Sequence, residues 1–127
     1  MSTKSPGLRL EVTTGDTGAR CEAWRDAKGR RQDPPDGTPA VRWYYADGEV
    51  EVEEHWQDGQ RQDPASGAPA VRWYRPDGTV EVEMHWQDGQ RQDPADGSPA
   101  VRWHYADGTV EVEMHYQAGE YVQEDQR

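Results

Sequence analysis

The sequence predicts an all-β fold: an elongated antiparallel meander of tandem β-hairpin repeats, each 30 residues long. Three observations predict this fold class. Residues 29–58, 59–88 and 89–118 are copies of one unit, the second identical to the first at 22 of 30 positions and to the third at 23 of 30. Within each copy apolar and polar residues alternate as in strands, and Asp-Gly pairs separate the alternating runs. A repeat of this length is typical of a stacked array, so residues 1–127 are interpreted as one repeat domain.

Both ends of the chain are atypical copies of the unit. Residues 1–28 are interpreted as a degenerate N-terminal capping repeat, whose two apolar runs resemble the strands of a unit and whose Trp24 falls near the place of Trp56. Residues 119–127 begin a further unit and end in charged residues, so they are interpreted as a C-terminal cap or tail. Stacked arrays need such atypical ends to close their terminal faces.

Each unit is predicted to contain a two-residue hairpin turn at its Asp-Gly pair. A type I′ turn needs positive φ at both central residues, and Asp-Gly is a preferred pair for it. With the first pair at the turn, Trp43 faces Val52 and Arg42 faces Glu53, so apolar residues fall on one face and charges on the other. A slip of one residue would mix the two faces, so the register is well specified. The predicted turn residues are Asp47, Gly48, Asp77, Gly78, Asp107 and Gly108.

A second turn is predicted at Asp58-Gly59, after which the run "QRQ" is expected to pair back on the preceding strand. The loop that follows has the pattern "DPxxGxPA" in every unit. Its prolines lack the donor that a central strand needs, so this segment is predicted to be a loop that leads to the next unit.

The alternation predicts two faces of different character. The apolar face is predicted to be the structural core. It consists of Val41, Trp43, Val50, Val52, Trp56, Val71, Trp73, Val80, Val82, Met84, Trp86, Val101, Trp103, Val110, Val112, Met114 and Tyr116. The polar face is predicted to bind a partner. It consists of Arg42, Tyr44, Glu51, Glu53, His55, Arg72, Tyr74, Glu81, Glu83, His85, Arg102, His104, Glu111, Glu113 and His115.

The charge balance limits the classes of partner. The chain has 25 acidic against 14 basic residues and a net charge of -11. Nucleic acids and anionic membranes both select clustered Lys and Arg, so neither is expected as a partner. The first residues lack the apolar run of a secretory signal, and Cys21 is the single cysteine, so a cytoplasmic protein is expected.

Composition alone would favour disorder, since the chain has no Phe or Ile and only two Leu. Six Trp and six Tyr at periodic positions oppose that interpretation, because each aromatic side chain buries a large apolar area. An ordered array is therefore expected.

The segment "WYYADGEVEVEEHWQDGQ" resembles the bacterial MORN repeat variant, in which aromatic residues, a turn with Gly and a Glu-rich strand follow one another. The segments "DGTPAVRWY" and "DGSPAVRWH" are also similar to the "DGPA" repeats of bacterial and phage proteins. The resemblance covers residues 29–120 and implies a single-sheet array of hairpins with a scaffolding role; some bacterial variants are described as antitoxin-like. The common MORN unit is shorter and ends in His-Gly, whereas here "GQRQDP" stands in that place.

The histidines and acidic residues raise the question of metal sites. His55, His85 and His115 lie in equivalent strands, which in a meander are about 9.6 Å apart. This distance is too long for one zinc ion, whose bonds to nitrogen are about 2.0 Å. The Asp-rich loops place Asp36 and Asp96 where the middle copy has Ser66, which favours capped turns over calcium sites. No metal or cofactor is therefore expected.

The repeated Glu pairs raise the question of catalysis. A catalytic carboxylate pair needs two different environments, so that one member stays protonated. Three equivalent copies on an open face offer equivalent environments instead. Pairing of Arg42 with Glu53, and of the same pair in each later copy, explains these residues better.

The sequence therefore predicts a non-enzymatic repeat protein that acts as a scaffold and binds another protein, expected to be basic, through its array. Two alternatives stay open: an antitoxin or immunity-type inhibitor that uses the acidic face, and a carbohydrate-binding module that uses rows of aromatic residues. A homodimer through the aromatic face is also compatible with the pattern. A single sheet leaves its aromatic face in need of a cover, which the terminal segments, the curl of the sheet, a second copy or a partner would supply.

Overall fold

The computed structural model describes residues 7–122, and within that range the chain forms thirteen strands and no helix. The predicted all-β class is confirmed. Residues 1–6 of the N-terminal cap and residues 123–127 of the C-terminal tail lie outside the described range. The strands are β1 Arg9–Thr14, β2 Arg20–Arg25, β3 Val41–Tyr44, β4 Val50–Glu54, β5 Trp56–Gln57, β6 Gln60–Arg61, β7 Val71–Tyr74, β8 Val80–Met84, β9 Trp86–Gln87, β10 Gln90–Arg91, β11 Val101–His104, β12 Val110–Gln117 and β13 Glu120–Val122.

Nine of these strands form one open antiparallel sheet. Its order is β1-β2-β3-β4-β7-β8-β11-β12-β13, which is a meander in chain order. The four remaining strands form two short hairpins, β5 with β6 and β9 with β10. The first two repeats therefore each contribute one long hairpin to the sheet and begin one short hairpin beside it, whereas after the third repeat β12 pairs with β13 within the sheet. Residues 7–122 include no helix with the length and apolar character needed to cross a bilayer.

The predicted register of the long hairpin is confirmed in its central part. Trp43 pairs with Val52 and Arg42 with Glu53, and the same pairs recur in the later copies. Next to the turn the register shifts, so that Tyr44 pairs with Val50. This shift marks a β-bulge that the sequence pattern did not predict.

The predicted type I′ turn at Asp47-Gly48 is wrong, and the same correction applies at Asp77-Gly78 and Asp107-Gly108. Gly48 has φ of 94° and donates its N–H to the carbonyl of Tyr45, whereas Asp47 is not among the residues with positive φ. The turn is therefore a type I turn followed by a glycine in a G1 bulge. Asp-Gly suits both turns, because each needs glycine at its last position.

The G1 bulge leads to a prediction for Gly78, its glycine in the second unit. A Cβ added there would meet no atom within 4 Å. The cost of substitution there comes from the backbone, since φ is 91°. We expect Gly78→Val to lower the free energy of unfolding by about 1–3 kcal/mol, because β-branched residues resist positive φ. Gly78→Asn is the matched control and should cost less, since Asn tolerates this region. Equal melting temperatures for the two variants and the parent would contradict the assigned turn.

The second predicted turn is confirmed at Asp58-Gly59. Asp58 and Gly59 both have positive φ, 52° and 84°, as a type I′ turn requires. Gln60 and Arg61 pair back on Gln57 and Trp56, as expected for the "QRQ" run. The type I′ turn of each unit is thus in the short hairpin rather than the long one.

The N-terminal cap is a degenerate copy of the long hairpin. β2 pairs with β3 so that Ala23 faces Val41, as Glu54 faces Val71 in the next unit. Trp24 donates its N–H to the carbonyl of Ala40, which is the bond that His55 makes in the next unit. Trp24 therefore occupies the place of His55, one residue from the predicted correspondence with Trp56.

The core is confined to one end of the strands. The buried apolar residues form three clusters, one for each repeat. In the first, Ala40 and Val41 are fully buried and Trp56 packs against them from the short hairpin. The short hairpins thus cover the end of the sheet that is opposite the long turns, and they leave the end near the long turns uncovered.

Candidate functional site

A row of three exposed tryptophans crosses the apolar face of the sheet. Trp43, Trp73 and Trp103 are 41%, 39% and 37% exposed. The pairing places them in one line across the strands, alternating with Val52 and Val82, which are only 4% and 3% exposed. In this tryptophan row the three indole rings are ridges. The spaces between them are two valleys, with Val52 at the floor of the first and Val82 at the floor of the second. The prediction that these three tryptophans are core residues is wrong.

The reason for their exposure is the reach of the short hairpins. Trp56 lies in the short hairpin and packs against Val41, at the beginning of β3. Trp43 lies two residues further along β3, towards the long turn, where nothing from the short hairpin covers it. Burial of the apolar face therefore follows position along the strand as well as side-chain alternation.

The remaining residues of the predicted core face divide in the same way. Those that are buried are Val41, Val52, Val71, Val82, Val101 and Tyr116. Those that are partly buried are Val50, Trp56, Val80, Met84, Trp86 and Met114. Val110 and Val112 are 44% and 42% exposed, which corrects their prediction as core. The reason is that β13 pairs only with the distal part of β12, residues 115–117, so no strand or tryptophan flanks this pair on the outer side.

A groove lies between the first two tryptophans of the row. It has a volume of about 300 Å³ and is lined by Trp43, Glu51, Val52, Glu54 and Trp73. On its turn side, the hydroxyl of Tyr45 donates a 2.7 Å hydrogen bond to the carbonyl of Tyr74 in the next repeat. Burial and the nearby Glu51, Glu81 and Asp47 carboxylates raise the pKa of Tyr45. The groove therefore has apolar walls, and its rim carries negative charge. The assignment of Glu51 to the opposite, polar face is corrected here, because the bulge between Val50 and Val52 breaks the alternation.

The second valley of the row has different edges. Arg75 replaces Tyr45 and donates from its guanidinium to the carbonyl of His104. Met84 replaces Glu54 at the other edge. The side chain at this position thus ties each repeat to the next, while the two valleys differ in charge.

The polar face is an alternating row of charges across seven strands. Successive partners across the sheet are Glu22, Arg42, Glu53, Arg72, Glu83, Arg102 and Glu113. The predicted ion pairs form, with Arg42 Nε 3.0 Å from Glu53 Oε2 and equivalent bonds in the later repeats. Most of these side chains are half-buried, and Glu111 and Glu113 at the last strand are exposed.

The aromatic residues of the polar face are also engaged within the chain. Tyr44 and Tyr74 donate their hydroxyls to Glu22 and Glu53, and His104 Nε2 lies 3.1 Å from Glu83 Oε1. Burial and the hydrogen bond to Glu53 raise the pKa of Tyr74. The side chains predicted to contact a partner therefore already contact one another.

Glu83 provides a pH-dependent prediction. Burial opposes its ionisation, but the hydrogen bond from His104 and the charge of Arg72 outweigh burial and lower its pKa below 4.5. A carboxyl whose pKa is lower in the folded state stabilises the fold above its unfolded pKa, and this contribution is lost as the pH falls through the folded value. We expect Glu83→Gln to cost about 1 kcal/mol at pH 7, because half-buried polar contacts contribute modestly. This deficit should shrink below about pH 4.5.

The measurement is the free energy of unfolding of Glu83→Gln and the parent between pH 7 and pH 3. Glu113→Gln is the matched control, because Glu113 has the same position but is exposed and bonds only to Arg102 in the described range. A deficit for Glu83→Gln that stays constant over this pH range would contradict the assigned role.

Three histidines of the predicted partner face hold the loops instead. His55, His85 and His115 each place Nδ1 2.6 Å from Oδ2 of an aspartate in the preceding loop, which is Asp33, Asp63 and Asp93 respectively. This Asp–His clamp closes the "DPxxGxPA" loop on the short hairpin. The histidines therefore contact the loop aspartates.

The aspartate of each clamp also binds two backbone donors. Asp63 Oδ1 accepts from the N–H of Ala70 at 2.8 Å and from that of Trp86 at 3.0 Å. The first bond closes the loop and the second joins the loop to the next short hairpin. The carboxylate thus satisfies donors that would otherwise lie unpaired in a buried region.

A ladder of arginines and aromatic rings runs along the short hairpins. Arg61 lies 5.1 Å from the ring of Trp56 and 5.1 Å from the ring of Trp86, at cation–π distance. Arg31 and Arg91 extend the stack at either end, and Tyr116 closes it. Sequence reasoning missed this ladder, although Arg31, Arg61 and Arg91 recur with the period of the repeat.

The described part of the chain offers no obvious metal centre. Residues 7–122 contain no group of three or more His, Cys, Asp or Glu side chains placed to hold an ion. In the loops, Asp36, Ser66 and Asp96 each accept the N–H of the residue two positions on. These side chains cap turns, as the middle copy with serine indicated.

The fold and its repeated surfaces define the class: a tandem β-hairpin repeat protein with a single open sheet. The MORN repeat variant family matches residues 40–58 and 100–118, which hold the long hairpin of the first and third units. The resemblance predicted from the aromatic, Gly and Glu pattern is confirmed for these segments. No curated protein and no solved structure matches the chain.

Proposed function

We propose that this repeat protein is a non-enzymatic scaffold that binds another protein through its tryptophan row. The observation that carries the proposal is the exposure of Trp43, Trp73 and Trp103 in one line, on a face whose other half is buried. Tryptophans are enriched among the residues that dominate the energy of protein interfaces. The polar face is the weaker candidate, because its Arg and Glu side chains are largely paired within the sheet.

The proposal differs from an antitoxin that presents acidic side chains to a basic active site. Such an inhibitor would use free carboxylates, and Glu53, Glu83 and Glu113 of the polar face have partners in the chain. A carbohydrate-binding module is the second candidate, and the same exposed tryptophan row favours it. The two candidates share a surface and differ in ligand.

A pull-down with the whole chain as bait tests the proposal. Lysate of the source cell is passed over the parent, over the triple variant Trp43→Ser/Trp73→Ser/Trp103→Ser, and over Leu10→Ser. Leu10 is 42% exposed and lies on the opposite face, since it pairs with Trp24, so it controls for loss of an exposed apolar side chain. We expect the parent and Leu10→Ser to retain the same proteins and the triple variant to lose them. Equal retention by all three would contradict a role for the row.

A further inference from the structure

We propose that the tryptophan row binds a proline-rich peptide in the polyproline II conformation, with an arginine or lysine held between Trp43 and Trp73. This inference rests on the proposed function and specifies the chemistry of its partner. Its basis is the spacing of the ridges, the charge of the two valleys and a contact that the chain makes elsewhere with its own arginines.

The spacing of the ridges matches a polyproline II helix. Trp43 and Trp73 are separated by one strand, β4, and Trp73 and Trp103 by β8. Neighbouring strands are about 4.8 Å apart, so neighbouring ridges are about 9.6 Å apart. A polyproline II helix repeats every three residues with a rise of about 3.1 Å each, so residues i and i+3 are about 9.3 Å apart on one side. A peptide laid across the strands would therefore place every third residue in successive valleys.

The chain itself shows that an arginine fits between two tryptophans one repeat apart. Arg61 lies 5.1 Å from each of the rings of Trp56 and Trp86, which occupy equivalent positions in successive units. Trp43 and Trp73 are also one unit apart, and the groove between them holds no side chain of that kind; it is lined by Glu51, Val52 and Glu54. Glu54 is buried and accepts a 2.8 Å hydrogen bond from Trp56 Nε1, so the carboxylate offered to a partner's arginine is that of Glu51. Aromatic walls beside that carboxylate favour cation–π contact and ion pairing.

The difference between the two valleys gives the peptide a direction. Glu51 and Glu54 line the valley between Trp43 and Trp73, whereas Arg75 and Met84 border the valley between Trp73 and Trp103. The first valley suits a cation and the second suits an uncharged ring such as proline. Aromatic-lined grooves bind proline-rich segments well because the peptide is ordered before it binds.

The charge distribution disfavours the other occupants. A second copy would bring another net charge of -11 to the same acidic rim. A neutral glycan would gain no attraction from that charge. A basic peptide gains both faster association and a stronger complex at low salt.

Titration by fluorescence anisotropy tests the inference with the full chain. The probe is a labelled peptide of two arginines followed by nine prolines. The control peptides replace both arginines with glutamate, or the prolines with alternating Gly and Ser. We expect the Arg-Pro peptide to bind, and both controls to bind at least about tenfold more weakly, as expected for loss of a charge pair or of preorganisation. Failure of the Arg-Pro peptide to bind, or equal binding of the Gly-Ser control, would overturn the inference.

Variants of the chain locate the binding. Trp73→Ser should weaken the Arg-Pro peptide by about tenfold or more, the effect of a central interface residue, and Leu10→Ser should leave it unchanged. Glu51→Gln should weaken binding of the Arg-Pro peptide but not binding of a peptide of prolines alone. Circular dichroism melts of each variant show whether it is folded, and Trp73→Tyr replaces Trp73→Ser if that variant does not fold. Unchanged binding to both Trp73 variants would overturn the inference.

Three further outcomes bear on this inference and on the proposed function. If the peptide fails to bind while the pull-down still depends on the row, the peptide chemistry is wrong and the scaffold role stands. If cellohexaose or chitohexaose binds in a Trp73-dependent way and the peptide does not, both proposals fail and the carbohydrate candidate replaces them. Light scattering that shows a dimer of the parent and a monomer of Trp73→Ser would assign the row to a second copy instead.

Discussion

Asp63→Ala is expected to lower the free energy of unfolding by about 3 kcal/mol or more, because a buried N–H left without an acceptor costs about 1–3 kcal/mol. The carboxylate accepts two backbone N–H groups, from Ala70 and Trp86, and its other oxygen contacts His85. Ala70 is fully buried, so water does not replace the lost acceptor. The expected loss is large for one exchange because one side chain joins the loop, the sheet and the short hairpin.

Urea unfolding of three variants measures this role. Asp63→Asn keeps an oxygen for the two backbone donors and should retain part of the stability. Ser66→Ala is the control in the same loop, where Ser66 is exposed and caps only the N–H of Ala68. Its cost should stay within about 0.5 kcal/mol, as for most surface substitutions. Asp63→Ala as stable as Ser66→Ala would show that the Asp–His clamp does not support the fold.

Trp86→Ala is expected to destabilise the protein by about 3–5 kcal/mol, the usual range for large aromatic truncations in a core. Its ring packs against the cluster of Val52, Ala70 and Val71 and lies between Arg61 and Arg91. Trp73→Ala removes the same side chain from an exposed place and should cost only about 1–2 kcal/mol, because much less apolar area returns to water.

This pair of variants distinguishes a structural tryptophan from one that is free to bind. Chemical denaturation should give clearly separate midpoints at similar slopes, since both variants unfold the same sheet. If Trp73→Ala lowered the free energy of unfolding as much as Trp86→Ala, the tryptophan row would be part of the core, as the alternation alone predicts.

The register of the long hairpin was predictable because two independent signals agree on it. The Asp-Gly pair fixes where the chain turns, and the alternation fixes which side chains share a face. The bulge at Tyr44 and Val50 was not predictable in this way, since glycine at position 48 satisfies both turn types. Only the φ angle of Asp47 distinguishes the two turn types.

The Asp–His clamps that hold the loops could not be predicted from the alternation, because alternation gives the face of a strand residue and not the direction of a loop side chain. Asp33 and His55 recur 22 residues apart in every unit, which signals a contact only when the loop is known to fold back on the next hairpin. The sequence also predicts one continuous apolar face, whereas the short hairpins cover only one end of it. The exposure of Trp43 follows from the two-residue length of β5, not from its neighbours in sequence.

Trp43, Trp73 and Trp103 are exposed, whereas Trp56 and Trp86 are partly buried against the core clusters. Fluorine NMR of protein made with 5-fluorotryptophan tests it directly, with each signal assigned by a single Trp→Tyr variant and its exposure measured by the shift between H₂O and D₂O. We expect a clear solvent shift for the three residues of the tryptophan row and a smaller one for Trp56 and Trp86. Small shifts for all five would contradict it, since the tryptophan row would then be covered.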